Sequence, residues 1–157
     1  MQIREYKSES DLPAIRACAV ELQEFERALD SRLPEGEKMA DAYLEEILDR
    51  VRKFEGNFFF AEIDGRVVGL VTVLGAYRLD EPSEIPAPFA YVDDLLVLAN
   101  YRGQGIGKAL LAEAEAYAQR CGRASIRLRV KAGNHQARAF YAEAGYGEYD
   151  LELEKRL

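Results

Sequence analysis

The chain has 157 residues, 48% hydrophobic and 31% charged, with a formal charge of −7. That length suits one domain with a closed core, and no apolar run approaches the ~18–20 residues of a membrane span. The acidic balance argues against a nucleic-acid binder, which carries a basic footprint, and suits a cationic partner.

The opening Met-Gln-Ile-Arg-Glu-Tyr-Lys lacks the apolar core of a signal peptide. Residues 2–7 alternate and predict a short strand. Ser10-Asp11-Leu12-Pro13 reads as a helix start, with a capping side chain and proline in the first turn. Leu12, Ile15, Cys18, Leu22, Phe25 and Leu29 then recur at helical steps. Pro34 and Gly36 break that helix, and Met39, Tyr43, Ile47, Val51 and Phe54 mark one face of a second. Cys18 and Cys121 show no metal or redox spacing, so reduced thiols in a cytoplasmic protein are expected.

Residues 58–63 and 66–77 read as strands joined by Asp64-Gly65, a strong hairpin signal. Residues 79–88 hold Pro82, Pro86 and Pro88 and predict an irregular surface loop. An apolar strand from Tyr91 leads through glycines into a helix that Gly122 ends. Residues 125–131 alternate again, Asn134 opens a short helix closed by Gly145, and residues 149–155 alternate once more. If the last two alternating segments pair, Arg127, Arg129 and Lys131 face Asp150, Glu152 and Glu154. Such exposed pairs contribute only ~0.2–1 kcal/mol each and serve mainly to fix register. No repeat or linker appears, so residues 1–157 are expected to form a single domain.

The glycine turn carries the chemistry. Gly103, Gly105 and Gly107 sit at a strand-to-helix junction, where unpaired N–H groups and the helix dipole make an anion cradle. Arg102 and Lys108 flank it and add positive charge. A phosphate-binding Walker loop fails, because Arg102 stands where its first Gly belongs and Ala109 where its hydroxyl belongs. Dinucleotide fingerprints started at Gly103 or Gly105 lack their later glycines. What fits is Arg-x-x-Gly-x-Gly: Arg102, Gly105 and Gly107.

This motif resembles the pyrophosphate-binding turn of the GNAT superfamily of N-acetyltransferases. A second block, Asn134 to Tyr146, resembles that family's Asn-x6-Tyr-x3-Gly-Phe/Tyr segment. The order of predicted elements is similar over the whole chain. The resemblance implies an α/β GNAT acetyltransferase fold: a mixed, mostly antiparallel sheet of about seven strands with a splayed parallel pair, flanked by about four helices. It implies acetyl-coenzyme A (CoA) as cosubstrate, its thioester arm on the backbone of Leu96, Val97 and Leu98. The pyrophosphate is expected on the N–H groups of Arg102, Gly103, Gln104, Gly105, Ile106, Gly107 and Lys108, with Asn134 contacting the pantetheine arm. Ala99 stands where many members have proline.

The implied reaction is direct acyl transfer to a primary amine in a ternary complex, with Tyr141 as general acid toward the departing thiolate. No Gly-x-Ser-x-Gly element appears, and neither cysteine has a basic neighbour, so a covalent acyl-enzyme is not expected. An alkyl amine with a pKa near ~10 must lose a proton before it attacks. Asp93 is the candidate base. Strict alternation puts Asp93 and Asp94 on opposite strand faces. The run from Tyr91 to Gly103 is somewhat similar to polyamine and thialysine N-acetyltransferases, which place adjacent acidic residues there. Glu24, Tyr43 and Asp94 are candidate substrate contacts, while His135, the one histidine, is expected to be exposed. The expected partner is a small cationic amine, with no nucleic acid, membrane or metal involved, and a homodimer is compatible with this reading. Two alternatives stay open: a protein lysine or N-terminal amine acetyltransferase, and a non-catalytic acyl-CoA sensor.

Overall fold

The computed structural model describes residues 1–79 and 81–157; the loop expectation for Asp80 lies outside the described residues. The elements in order are β1 (Gln2–Glu5), α1 (Leu12–Leu29), α2 (Gly36–Lys53), β2 (Gly56–Ile63), β3 (Arg66–Tyr77), β4 (Phe89–Val97), α3 (Ile106–Arg120), β5 (Ile126–Leu128) and α4 (His135–Glu143). The five strands make one sheet in sequence order. Every pairing is antiparallel except β4 with β5, which is parallel.

Alternation decides what each face buries. Phe58 and Phe60 point to one side of β2 with Leu70 of β3 and Leu96 of β4, where Ile15 and Cys18 of α1 and Ile47 of α2 meet them. Phe59 points the other way and packs with Val71, Val73, Val92 and α3's Ile106 and Leu110. Each such fully buried side chain contributes roughly 1.5–3 kcal/mol. Arg4 ties β1 to the start of α1 by a two-pronged bond to Asp11, and its Nε reaches Glu62 of β2 at 2.7 Å. The hairpin signal is met by backbone conformation, with Asp64 at φ 49° and Gly65 at φ 75°.

The sheet is smaller than expected. Five strands replace about seven, and residues 149–155 form no strand among the described residues. Residues 125–131 contribute only Ile126–Leu128. The anticipated charge ladder is therefore absent, and its members take other partners. Arg127 stacks between the rings of Phe89 and Tyr149, Lys131 lies 3.8 Å from Glu26, and Glu154 binds Arg32.

Candidate active site

β4 outlasts its neighbour. Its pairing with β5 covers only Ala90, Tyr91 and Val92, while the strand continues to Val97, so one edge stands open from Asp93 onward. The N–H of Leu98 donates to Val68 O at 2.9 Å, which sets the phase of the β3–β4 ladder. Backbone groups of Leu96 and Leu98 face β3, and those of Leu95 and Val97 face the opening. The expected backbone contacts at Leu96 and Leu98 are corrected accordingly. Of the three named residues, Val97 presents its amide to the gap.

The open edge leads into the glycine turn. Gly103 at φ 75° and Gly105 at φ 80° are left-handed, a conformation that a Cβ disfavours. Gly107 carries no such demand, since a Cβ there would meet Phe140 and Val97 at an ordinary 3.7 Å. The first backbone bond of α3 runs from Ala109 N–H to Gly105 O. Among the described residues, the N–H groups from Gly103 to Lys108 make no backbone bond, and no acidic side chain sits in that first turn. The turn is thus a row of free donors at a helix start.

Arg102 departs from expectation. Its guanidinium turns back, Nε donating to Val97 O at 2.9 Å while the group stacks over Phe25 and lies 3.8 Å from Glu21. It braces the turn against β4 and α1, and exposed Lys108 supplies the positive charge at the mouth.

Beside the open edge lies a broad cleft between the α1–α2 wall and residues 146–155. Thr72 pairs with Asp94 and Val73 with Val92, leaving Asp93 as an extra residue. This β-bulge overturns the alternation argument. Both carboxylates turn to the α2 side, where Tyr43 Oη donates to Asp94 Oδ2 at 2.6 Å and Arg50 Nε lies 3.0 Å from Asp93 Oδ2.

Burial, followed by the charge of Asp94, pushes the Asp93 carboxyl up to about 6, against the pull of Arg50. Asp94 is also raised by burial, opposed by the hydroxyls of Tyr43 and Thr72. Thr72 Oγ1 lies beside it without a hydrogen bond of good geometry. Tyr141, packed on α4 against Phe140 and Tyr146, is pushed up to about 12 by burial and then by the charge of Asp94. Its phenol is therefore protonated across the physiological range.

Asp93, Asp94, Tyr43 and Tyr141 come together along this one cleft. Glu24 does not join them. Its carboxylate accepts the Gly36 N–H at 2.6 Å and an Arg27 bond at 2.9 Å, anchoring the start of α2. Asn134 caps α4, its Oδ1 accepting Ala137 N–H at 3.0 Å, which leaves its amide nitrogen for a ligand. His135 is exposed, as expected. Sequence reasoning missed Arg50 and Glu46, both facing Asp93. The available signal was their spacing from Tyr43, seven and three residues on, which puts all three on one helix face.

A splayed parallel pair ending on an amide-lined turn is the acetyltransferase architecture expected above. The profile of the Acetyltransferase (GNAT) family matches residues 22–146, and the chain belongs to that family. Among curated relatives, the N-alpha-acetyltransferase of Sulfurisphaera tokodaii is 30% identical over 104 residues, covering 64% of this chain and 62% of that protein. The chain spans between 43% and 62% of the curated relatives it matches, about half their length. A mutant form of the BH1408 protein from Bacillus halodurans superposes with a TM-score of 0.85 at 19% identity, covering 100% of this chain and 99% of that one. The aminoglycoside N-acetyltransferase AAC(6')-Iy in complex with CoA gives 0.71 at 18% identity, covering 99% and 98%. At that identity the two structures establish the fold alone. No helix among the described residues is long and apolar enough to cross a membrane.

Proposed function

We propose that the protein moves the acetyl group of acetyl-CoA onto a primary amine of a small, cationic molecule by direct attack in a ternary complex. The carrying observation is one continuous backbone surface: the open β4 edge from Asp93 to Val97 leads into the free N–H groups of residues 103–108. Acetyl-CoA fits it, because its arm carries amides that need partners and its diphosphate needs donors. When bound, it supplies an activated acetyl thioester. A protein sharing this fold has been solved in complex with CoA, which supports CoA as the ligand.

This chain's residues then divide the work. Asp93 and Asp94 attract the ammonium group, and Asp93 takes its proton directly or through water. The Val97 N–H donates to the carbonyl oxygen as negative charge develops there. Tyr141 returns a proton to the departing thiolate. Cys18 takes no part, since burial pushes its thiol up to about 12 and it stays protonated.

The test follows thiol release from acetyl-CoA over a panel of polyamines, amino acids, aminoglycosides and peptides. Small cationic amines are expected to be acetylated. CoA binding without release for any amine would make the domain a sensor. Tyr141→Phe is expected to lower turnover roughly 10²–10⁴-fold with CoA binding retained, and unchanged turnover removes Tyr141 from the acid role. A peptide N-terminus is the second reading, favoured by the open cleft and by the S. tokodaii relative's name; selective acetylation of peptides in the same panel identifies it.

A further inference from the structure

Between α1 and β4 lies a small cavity walled by Cys18, Ala19 and Leu22 of α1 and by Leu96 of β4, and lined also by Tyr43 and Asp94. α1 offers two small side chains in succession there, Cys18 and Ala19, and neither reaches far enough across to close the gap. The cavity is about the size of one water molecule, and so of a single methyl or methylene group. Its walls are mostly carbon. The Asp94 carboxylate already accepts the Tyr43 hydroxyl at 2.6 Å, and the Cys18 thiol, held protonated by burial, is a weak donor. A buried water needs several good polar partners, so this space suits an apolar group better than water.

The cavity borders the site of the chemistry. Ala19, Leu22, Tyr43 and Asp94 line both it and the cleft. Asp94 and Leu96 stand two residues apart on β4, so their side chains share one face of the strand, and Leu96 packs there with Ile15, Cys18 and Ile47. On the proposed function, the acyl carbon sits between the amine, gathered by Asp93 and Asp94, and the Val97 amide, which takes its oxygen. Its remaining substituent, beyond oxygen and sulfur, is the alkyl chain. The apolar recess bordering that stretch of β4 is this one.

We infer that this cavity is the acyl-chain pocket: it admits acetyl and propionyl thioesters of CoA and turns away longer chains, with Ala19 and Leu22 setting the limit. The inference rests on the acetyl-transfer reading and extends it to the choice of donor. An acetyl group leaves the recess free, and a propionyl group places its extra carbon there without displacing protein atoms. A butyryl group exceeds the space and must push α1 away from β4. One methylene gained or lost in an apolar pocket changes selectivity by roughly 10–200-fold.

The test compares acetyl-, propionyl- and butyryl-CoA in thiol release with an amine from the panel and, in parallel, in binding by calorimetry. In the parent protein, kcat/KM for propionyl-CoA is expected within about 10-fold of that for acetyl-CoA, with butyryl-CoA lower by about another 10-fold or more. Ala19→Val fills the recess and is expected to lower the propionyl-to-acetyl ratio roughly 10–200-fold. Leu22→Ala enlarges it and is expected to raise the butyryl-to-acetyl ratio by roughly 10-fold or more. The ratios of affinities are expected to move in the same directions, so the pocket is tested even where no amine is acetylated. Absence of thiol release from acetyl-CoA itself counts against acetyl transfer and not against the pocket. Circular dichroism checks that each variant folds, and Leu22→Ala, which crowds nothing, carries the test if Ala19→Val does not fold. A parent protein that refuses propionyl-CoA, one that takes butyryl-CoA as well as acetyl-CoA, or ratios that stay unmoved in the folded variants overturns the proposal.

Discussion

The two halves of the candidate site meet at β4 and are built from different materials. The half proposed to face the cosubstrate is backbone: the Val97 amide and, six residues on, the run of N–H groups of residues 103–108, which do not titrate. The half proposed to face the amine is side chains brought from three elements: Tyr43 and Arg50 of α2, Asp93 and Asp94 of β4, and Tyr141 of α4. A backbone cradle depends on φ values and tolerates side-chain change. A carboxylate cluster depends on burial and neighbouring charge and responds to pH. On the proposed function, grip on the cosubstrate is a matter of conformation, and handling of the amine a matter of electrostatics.

Four variants sharpen that contrast. Asp93→Asn is expected to lower kcat/KM for the amine by roughly 10²–10⁴-fold while CoA affinity, read by calorimetry, stays unchanged. In the parent protein kcat/KM is expected to rise with pH through about 6 as Asp93 ionises, read from a pH–rate profile. The stability effect has the opposite sign. Because the folded-state pKa is raised, the folded protein holds the proton more tightly, and stability falls as pH climbs from about 4 to about 6. Asp93→Asn should then stabilise the fold at pH 7.5 by something on the order of 1–3 kcal/mol, seen as a higher Tm.

Gly105→Val breaks the other half. The left-handed strain of roughly 1–2 kcal/mol is expected to weaken CoA binding about 5–30-fold, leaving the pH limb in place. Tyr43→Phe removes a donor from Asp94 and should lower stability by about 1–3 kcal/mol in chemical unfolding at pH 7.5. Glu24→Gln has the smallest effect: a slight drop in Tm from the weakened α2 start, with amine preference unchanged. A shift in amine preference would return Glu24 to the substrate site.

Local patterns made much of the molecule legible. The glycine turn, the Asp64-Gly65 hairpin and the α1 stripe were readable because each depends on residues close in sequence. Tyr141 and the acidic pair were also within reach, through the resemblance of their surroundings to a known family. The common face of Asp93 and Asp94 was hidden, because a bulge is a mismatch between two strands and strict alternation along one of them predicts the reverse. Arg102 was read as a charge for the cradle, but Val97 O, Phe25 and Glu21 claim it from elements remote in the chain. Residues 149–155 carry a strand's pattern, yet a strand exists only where a partner edge lies at bonding distance.

By itself the sequence determined the family, the glycine turn at the start of α3 and the alternation that sorts Phe58, Phe59 and Phe60 between two faces, because these follow from φ preferences and periodicities of adjacent residues. Tertiary structure alone decided where β4 and β5 part, which β4 amides stay free, how burial and Asp94 move Asp93 toward neutrality against Arg50, and that the last described residues form no strand. Those outcomes depend on through-space distance and desolvation, quantities defined only once separate segments have packed together.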